Sequence, residues 1–245
     1  PGPYGSDPLG LFPGLDLISR NKQNLFGYQA HYAEQFTARF RQVVTANLAT
    51  NDYYFRSPFG DSYSDNRRGV VNTRSEIFVS NQDFLVVGFE YNREQIRNTF
   101  IADAAFHPFL LPRTSLAYFA ENRWSPTRQL HVTAGLRVDD IRTRALPADG
   151  FGLRPALPES SIVKLNPRVA VAFVAREPDG GSAGATRFHG SFGTGIRPPG
   201  GFELAFTNNP NLKPEKNLSF DLGVEQRLFA DRATVDATYF FNRFE

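Results

Sequence analysis

Hydrophobic and polar side chains alternate with a period of two residues along most of this chain. The alternation is clearest between Gln129 and Arg142, where apolar residues from Leu130 to Val138 occupy every second position. Successive side chains of a strand point to opposite faces, so this pattern is typical of a β-strand whose faces meet different surroundings. The same pattern predicts ten strands: Gln23–Glu34, Arg39–Arg56, Arg67–Val79, Phe84–Arg97, Thr114–Ser125, Gln129–Arg142, Val163–Arg176, Thr186–Thr194, Asn217–Leu228 and Arg232–Asn242.

The connections between these strands alternate between short and long. The short ones are turns such as Gln35–Ala38 and Pro126–Arg128. The long ones are rich in Gly, Pro and polar residues: Ser57–Asn66, Asn98–Arg113, Thr143–Ile162 and Gly195–Lys216. Short turns on one rim and long loops on the other are typical of up-and-down barrels in outer membranes. The predicted fold class is therefore all-β, an antiparallel up-and-down transmembrane β-barrel.

The composition fits a membrane barrel without requiring one. Aromatic residues make up 14% of the chain, including 24 Phe, yet the mean hydropathy is −0.36. A barrel has this combination because only alternate strand residues face lipid and because aromatic girdles line both interfaces. No stretch approaches the roughly 18–20 apolar residues of a membrane helix. A soluble β-sandwich or a secreted β-rich repeat protein remains an alternative, because alternation alone does not separate lipid from a protein core.

The charged and polar residues indicate neither a catalytic nor a metal site. The net charge of +2 gives little sign of the concentrated basic stripe of a nucleic-acid-binding protein, so we predict no nucleic acid partner. The chain has no Cys, and its four His lie on separate strands or loops without metal-ligand spacing: His31, His107, His131 and His189. Asp139 and Asp140 are strand neighbours whose carboxylates point to opposite faces, which makes a poor acid–base pair. We therefore predict no enzyme activity, no metal and no cofactor.

The most distinctive segment runs from Gly193 to Leu228 and reads GTGIRPPGGFELAFTNNPNLKPEKNLSFDLGVEQRL. It resembles a segment of the TonB-dependent outer-membrane receptors, in which a strand ending in S-x-G-x-G-[FI]-R-x-P is followed by F-x-E-L and N-P-x-L-K-P-E. The matching residues include Gly193, Gly195, Arg197, Pro199, Glu203, Asn209, Pro210, Leu212, Lys213, Pro214 and Glu215. Pro198 and Gly200 depart mildly from the residues that are common in the family.

This resemblance implies a partial barrel of about ten strands, taken from a barrel of about 22 whose lumen holds a separate plug domain. Such receptors bind scarce nutrients, typically ferric siderophores, cobalamin or glycans, and import them with energy passed on by TonB. The implied partners are outer-membrane lipid, a small nutrient ligand and the TonB complex, the last through a plug domain absent from this chain. The implied location is the bacterial outer membrane. The alternative is a passive porin or an adhesive or structural β-protein without energised transport.

The implied domain organisation is a loop or linker over residues 1–22 and a partial receptor barrel over residues 23–245. The sequence starts at Pro1 without an initiating Met and stops within the tenth strand, as expected of a segment of a longer protein.

The loop Gly195–Lys216 is the candidate functional segment. Its Pro residues end the strand ladder and restrict the shape of the loop. Two interpretations remain open. The motif either organises the rim of the barrel, or contacts a ligand from a long extracellular loop through Arg197, Phe202 or Asn209.

Overall fold

The computed structural model describes residues 19–58, 60–177, 183–230 and 232–245. Ten strands and one short helix follow one another in this part of the chain. They are β1 (Arg20–Thr37), β2 (Phe40–Ser57), β3 (Gly60–Phe78), β4 (Asp83–Asn98), β5 (Leu111–Trp124), β6 (Leu130–Thr143), β7 (Ser160–Arg176), β8 (Ala183–Arg197), α1 (Gly201–Phe206), β9 (Glu215–Leu228) and β10 (Ala233–Phe244). All ten predicted strands are present in the predicted order, and most are longer than predicted.

The strands form one sheet in which each strand pairs antiparallel with its neighbours in the sequence. This confirms the predicted up-and-down arrangement. The register gives the sheet an apolar face and a polar face. On β9, Leu222 lies between Gly190 of β8 and Tyr239 of β10, and these positions belong to the apolar face. Glu225 lies opposite Arg187 of β8 on the polar face.

The predicted long loop Ser57–Asn66 is wrong, because β3 begins at Gly60 and pairs with β2. Ser57 Oγ donates to the Gly60 carbonyl at 2.9 Å, and Arg56 Nε lies 3.6 Å from Asp61 Oδ1. The hydrogen bonds of a β-ladder join backbone groups, so a polar sequence can form them as well as an apolar one. Cross-strand side-chain pairs such as these add to the stability of the hairpin. Long and short connections therefore alternate along the sheet except between β2 and β3, where a short connection replaces the predicted long one.

The other three long connections meet at one rim of the sheet. Residues 99–110 and 144–159 are each closed by an isolated antiparallel bridge, Ala102 with Pro108 and Leu146 with Leu157. Residues 198–214 contain α1, a helix of six residues within a segment predicted to be a loop. Among the described residues, no helix is long and apolar enough to cross a membrane.

A cluster of buried hydrophobic side chains lies at this loop-bearing rim, and it includes residues from all three long connections. Its members are Ile96, Ile101, Leu111, Leu146, Leu157, Leu204 and Ala205. Burying a large aliphatic side chain contributes roughly 1.5–3 kcal/mol, so this cluster holds the three connections against the ends of β4 and β5. The two open faces of the sheet contain few other buried side chains.

The predicted N-terminal linker is described only at its end. Residues 1–18 of the predicted 1–22 segment lie outside the described residues. β1 begins at Arg20, slightly before its predicted start at Gln23. The division into a linker and a barrel stays a prediction.

Candidate functional site at the loop-bearing rim

Helix α1 begins at the glycine pair that follows β8. Gly200 is the N-cap residue, with an extended backbone at φ −73° and ψ 168°. Its N–H donates to the Glu203 carboxylate at 2.6 Å, and its carbonyl accepts from Leu204 N at 3.0 Å. A glutamate at the third helical position that bonds back to the N-cap amide satisfies a backbone donor that would otherwise lack a partner. This contact fixes the start of a helix too short to be stable alone.

Arg197 links β8, α1 and β9. Its Nη2 donates to Glu203 Oε1 at 2.9 Å and to Glu215 Oε2 at 3.1 Å. Glu215 is the first residue of β9, so one guanidinium joins both ends of the loop to its helix. The pKa of the Glu203 carboxyl lies below its ordinary value, first because of the Gly200 N–H and then because of the Arg197 guanidinium. We call this arrangement the Arg197 clamp.

Arg113 fastens the same loop to the sheet from β5. Its Nη2 donates to the Pro199 carbonyl, and its Nε donates to Thr143 Oγ1 at 3.2 Å. Its Nη1 lies 3.5 Å from Glu94 Oε2. The side chain is only 8% exposed, so its charge is stabilised by these acceptors rather than by water.

Arg154 fastens the other two long connections to each other. Its side chain is fully buried and donates to the carbonyls of Phe100, Ala102 and Pro147. The Asp149 carboxylate accepts the Arg154 backbone N–H at 3.1 Å. Burial lowers the pKa of this guanidinium from its ordinary value. Connections 99–110 and 144–159 therefore share one buried cation.

Three phenylalanines form an exposed surface where α1 meets connection 99–110. The ring centroids of Phe202 and Phe206 are 4.7 Å apart, and those of Phe206 and Phe100 are 5.3 Å apart. Leu204 and Ala205 face the buried cluster, whereas Phe202 is 75% exposed on the other side of the helix. We call Phe100, Phe202 and Phe206 the rim aromatic surface.

A cavity of about 140 Å³ lies beneath the second half of the β8–β9 loop. The loop residues that line it are Leu204 of α1 and the family-motif residues Pro199, Pro210, Leu212, Lys213 and Pro214. Ends of β5, β6 and β7, including Leu111 and Ile162, form the opposite wall together with connection 144–159. Much of the matched sequence motif therefore shapes the packing of this loop against the sheet.

The three predicted ligand residues do not form one cluster of free side chains. Arg197 is held by two carboxylates. Asn209 Oδ1 accepts from Asn211 N at 2.9 Å within its own turn. Phe202 belongs to the rim aromatic surface and is 75% exposed. Their assignment to ligand binding stays a prediction, and the geometry of Arg197 agrees with the rim-organising interpretation.

The polar face below the rim carries a chain of charged and amide side chains. Asn72 Nδ2 donates to Glu90 Oε2 at 3.3 Å, and Arg137 Nη2 donates to Glu90 Oε1 at 2.9 Å. Arg137 Nε also donates to Asp139 Oδ1 at 2.8 Å, and Asn166 Nδ2 donates to Asp139 Oδ2 at 2.9 Å. The chain extends from β3 to β7. The charged groups of this chain of contacts are thus paired within the sheet.

A second cross-strand ion pair depends on a glycine. Arg168 of β7 reaches Glu121 of β5 across β6, where Gly135 lies between them. A Cβ atom at Gly135 would be 3.0 Å from Arg168 Cγ, so the glycine leaves room for the arginine to lie across its strand. In the part of the chain that the structure describes, no group of three or more His, Cys, Asp or Glu residues could hold a metal ion.

The sequence matches the family model described as "TonB dependent receptor-like, beta-barrel" over residues 1–245. The chain belongs to the TonB-dependent receptor family. Its location is therefore the bacterial outer membrane, where its apolar face meets lipid and its polar face lines the barrel lumen. Members of this family are transport receptors rather than enzymes, as predicted from the sequence. The soluble-sandwich alternative is wrong.

Solved structures of TonB-dependent receptors share this fold. The FrpB iron transporter of Neisseria meningitidis (F3-3 variant) is similar with a TM-score of 0.69 and 13% identity, over 91% of this chain and 36% of the transporter. The closed form of the ferric-catecholate import receptor Fiu of E. coli K12 gives 0.66 and 14%, over 92% of this chain and 41% of Fiu. The copper transporter OprC gives 0.70 and 15%, over 91% and 38%.

The chain spans about two-fifths of the length of the solved receptors that it resembles. A search of curated protein sequences gave no match.

Sequence reasoning missed α1, Arg113 and Arg154. The spacing Gly200-x-x-Glu203 is a capping-box spacing with Gly in place of Ser or Thr, and it could have indicated the helix start. Arg113 and Arg154 carry no comparable signal, because each binds backbone carbonyls of a connection that is distant in the sequence, Pro199 for Arg113 and Phe100 and Ala102 for Arg154.

Proposed function

We propose that the receptor containing this chain imports a metal chelate across the outer membrane with energy from TonB. Iron and copper are the cargoes named for the solved receptors described above, which supports a metal chelate ahead of cobalamin. A plug domain outside this chain fills the lumen and connects the receptor to TonB. This chain supplies part of the barrel wall and part of the ligand-facing rim.

The rim aromatic surface is the observation that best supports a ligand site in this chain. Exposed apolar patches on a water-facing surface often mark binding sites. Phe202 and Phe206 point away from the sheet on a helix whose position is fixed by Arg113 and by the Arg197 clamp. A rigid support reduces the entropy lost on binding, so these rings are preorganised to contact an apolar or aromatic part of a chelate.

Phe202 therefore contacts the ligand, whereas Arg197 and Asn209 support the loop that carries Phe202 and do not touch the ligand. Arg197 positions α1, and Asn209 holds the turn that follows the helix. This division of roles separates the three residues predicted from the sequence into one contact and two supports.

Growth of a strain that lacks this receptor tests the proposed cargo. The strain would be compared with its parent on defined ferric chelates, copper and cobalamin as limiting nutrients. We expect a growth defect on one class of metal chelate, restored by the full-length gene. An unchanged growth profile on every metal chelate would overturn the proposal.

Binding to the full-length receptor tests the rim aromatic surface. We expect Phe202→Ala and Phe206→Ala each to weaken binding of the identified chelate on the order of tenfold, the loss of one good aromatic contact. Phe151→Ala is the matched control, because Phe151 is an exposed ring on the same rim whose aromatic partner in the described part of the chain is Phe106, outside the rim aromatic surface. Equal affinities for the Phe202→Ala variant and the control would remove Phe202 from the site.

Uptake in a strain without TonB separates energised transport from passive flow. Energised import stops in that strain, while surface binding of the chelate persists. Uptake at the parental rate would instead favour the passive porin.

A further inference from the structure

The polar face of β1–β4 carries side-chain amides between Asn72 and the β2–β3 hairpin. Gln29 lies opposite Asn47, and Asn51 lies opposite Asn66. Asn66 and Asn72 are an even number of residues apart on β3, so these amides share the face that lines the lumen. The amides of this surface include Gln23, Gln29, Asn47, Asn51, Asn66 and Asn92. We call these six residues the amide wall.

Small residues separate two rows of the amide wall. Gly27 lies opposite Ala49, between the pair Gln29–Asn47 on one side and Asn51 on the other. A Cβ atom at Gly27 would have no other atom within 4 Å, so the space above this strand position is open. The two rows of amides therefore border a shallow recess that opens into the lumen.

The amide wall keeps hydrogen-bonding groups for a ligand. Gln23 Nε2 donates to Asn51 Oδ1 at 2.8 Å, which leaves the Gln23 carbonyl and the Asn51 amino group without a protein partner among the described residues. In the same part of the chain, the side chains of Gln29 and Asn47 make no hydrogen bond. A side-chain amide has two N–H donors and a carbonyl acceptor, so the wall can both donate to a ligand and accept from it.

The surface around these amides carries little net charge. Within the described residues, Arg68 and Glu94 are the charged residues on this half of the polar face of β1–β4, and they lie opposite each other. Arg68 Nε already donates to Asn92 Oδ1 at 3.2 Å. A ligand at the wall therefore meets one exposed cation whose charge is offset by a facing carboxylate. A polyanion would lose hydration there and gain little electrostatic attraction in return.

We infer that the amide wall selects an uncharged metal chelate that presents amide-type carbonyl and N–H groups on its surface. This inference rests on the proposed function, because it names the class of chelate that the receptor imports. A ferric trihydroxamate has this chemistry, since each hydroxamic acid loses one proton and the complex with Fe³⁺ is neutral. Each catecholate carries two negative charges, so a ferric tricatecholate is a trianion. The amides can replace the water around the neutral chelate, but they cannot replace the hydration of the trianion.

Equilibrium binding to the purified full-length receptor tests the selection. One probe is the ferric complex of a linear trihydroxamate with amide linkers and an acetylated terminal amine. The other probe is the ferric complex of a tricatecholate, and both carry radioactive iron. We expect the trihydroxamate complex to bind at least about tenfold more tightly, the effect of one or two hydrogen bonds that only the neutral chelate gains.

Variants of Asn47 show whether the wall makes this selection. Asn47→Leu removes an exposed amide without breaking a hydrogen bond within the described part of the sheet. We expect affinity for the trihydroxamate complex to fall about fivefold, with a smaller change for the tricatecholate. Asn47→Lys adds a cation and should raise affinity for the tricatecholate. Asn24→Leu is the matched control, because Asn24 is an exposed amide on the opposite face of β1.

Each contrary outcome has a separate meaning. Tighter binding of the tricatecholate than of the trihydroxamate would overturn the inference and leave import of a metal chelate standing. Equal effects of Asn47→Leu and Asn24→Leu would also overturn it, because the lumen-facing amide would then play no special part. Binding of neither ferric chelate would overturn the inference as well. The proposed function would fall with it only if the deletion strain also grew normally on every metal chelate.

Discussion

Arg137 of β6 reaches Glu90 of β4 across the intervening strand β5, with its Nη2 2.9 Å from Glu90 Oε1. Ala117 of β5 lies opposite Glu90 and Asp139 and is 1% exposed, beneath the side chains that meet there. A small side chain on the middle strand thus lets two long ones meet on the lumen side. Ladder hydrogen bonds join β4 to β5 and β5 to β6, whereas this ion pair joins β4 directly to β6.

Replacing Arg137 should destabilise the barrel measurably. Arg137→Met removes charged hydrogen bonds to Glu90 and Asp139, whose side chains are 25% and 11% exposed. Because the pairs are partly exposed, we expect a loss of about 2 kcal/mol in the free energy of unfolding. Urea unfolding of the full-length receptor in lipid vesicles measures this loss.

Arg187→Met is the matched control for that experiment. Arg187 lies 3.8 Å from Glu225, and Glu225 keeps Arg227 at 3.2 Å when Arg187 is removed. We expect this variant to lose less than about 0.5 kcal/mol. Equal losses for the two variants would show that the span across β5 adds no stability.

The strands could be predicted from the sequence because lipid on one face and a polar lumen on the other impose strict alternation. The segment Leu130–Val138 shows this clearly. The start of β3 could not be predicted in the same way, because residues 60–66 lack a regular apolar stripe. Ladder pairing with β2 and side-chain pairs such as Arg56–Asp61 extend this hairpin instead.

The rim could be predicted only in part. Pro199 and Pro214 correctly indicate a break in the ladder, but the six residues of α1 contain no two-turn pattern from which a helix is recognised. Arg113 and Pro199 are 86 residues apart in the sequence, so their contact follows from the assembled sheet alone. The motif contains Arg197, Glu203 and Glu215, but only the structure shows that the guanidinium pairs with both carboxylates, and ligand contact by Arg197 stays a prediction.

Acid should loosen α1 through Glu203. The pKa of Glu203 is lowered in the folded loop from its ordinary value of 4.5, because the ionised carboxylate accepts the Gly200 N–H and pairs with Arg197. Because the folded-state pKa is lowered, the ionised carboxylate stabilises the loop fully above the ordinary value of about 4.5. This stabilisation is lost as the pH falls through the folded-state pKa. Hydrogen exchange of residues 198–214, corrected for intrinsic rates, should therefore increase below about pH 4.5.

Glu203→Gln provides the comparison for this pH dependence. The amide cannot ionise, so the variant should exchange faster than the parent at neutral pH and should show less additional loosening in acid. If both proteins show the same change with pH, another carboxylate controls the loop.

Adding a hydroxyl at the N-cap should stabilise α1. The backbone of Gly200 is extended, and a Cβ atom there would lie 3.6 Å from Glu203 Oε2, an ordinary contact. In Gly200→Ser the hydroxyl can accept the Glu203 backbone N–H, which completes the capping box. We expect a gain of about 0.5–1 kcal/mol, read as slower hydrogen exchange in residues 200–206. Unchanged or faster exchange would contradict this capping role.

The neighbouring glycine should respond in the opposite direction. A Cβ atom at Gly201 would lie 2.9 Å from Ile96 Cγ2, and Ile96 is held in the buried cluster at the rim. Gly201→Ala therefore pushes α1 away from β4, at a cost of about 1–2 kcal/mol despite the better helix propensity of alanine. Limited proteolysis of the β8–β9 loop compares this variant with Gly200→Ala, whose Cβ has room. Resistance equal to that of Gly200→Ala would mean that the helix does not need this close approach.

Removing Arg154 should release two loops while leaving the sheet intact. Arg154→Met keeps an unbranched, bulky side chain, but it leaves the carbonyls of Phe100, Ala102 and Pro147 without their donor. Buried acceptors without donors are unfavourable, so we expect the local stability of residues 99–110 and 144–159 to fall by about 2–3 kcal/mol.

Arg144→Met is the control, because Arg144 is an exposed cation in the same connection. Limited proteolysis should cut both connections faster in Arg154→Met than in Arg144→Met, while the strands resist in both. Arg154→Lys should give an intermediate rate, because its ammonium keeps the charge without the planar fork of donors that reaches separate carbonyls. If Arg154→Met resists proteolysis as well as Arg144→Met, the buried hydrophobic cluster alone holds the two connections.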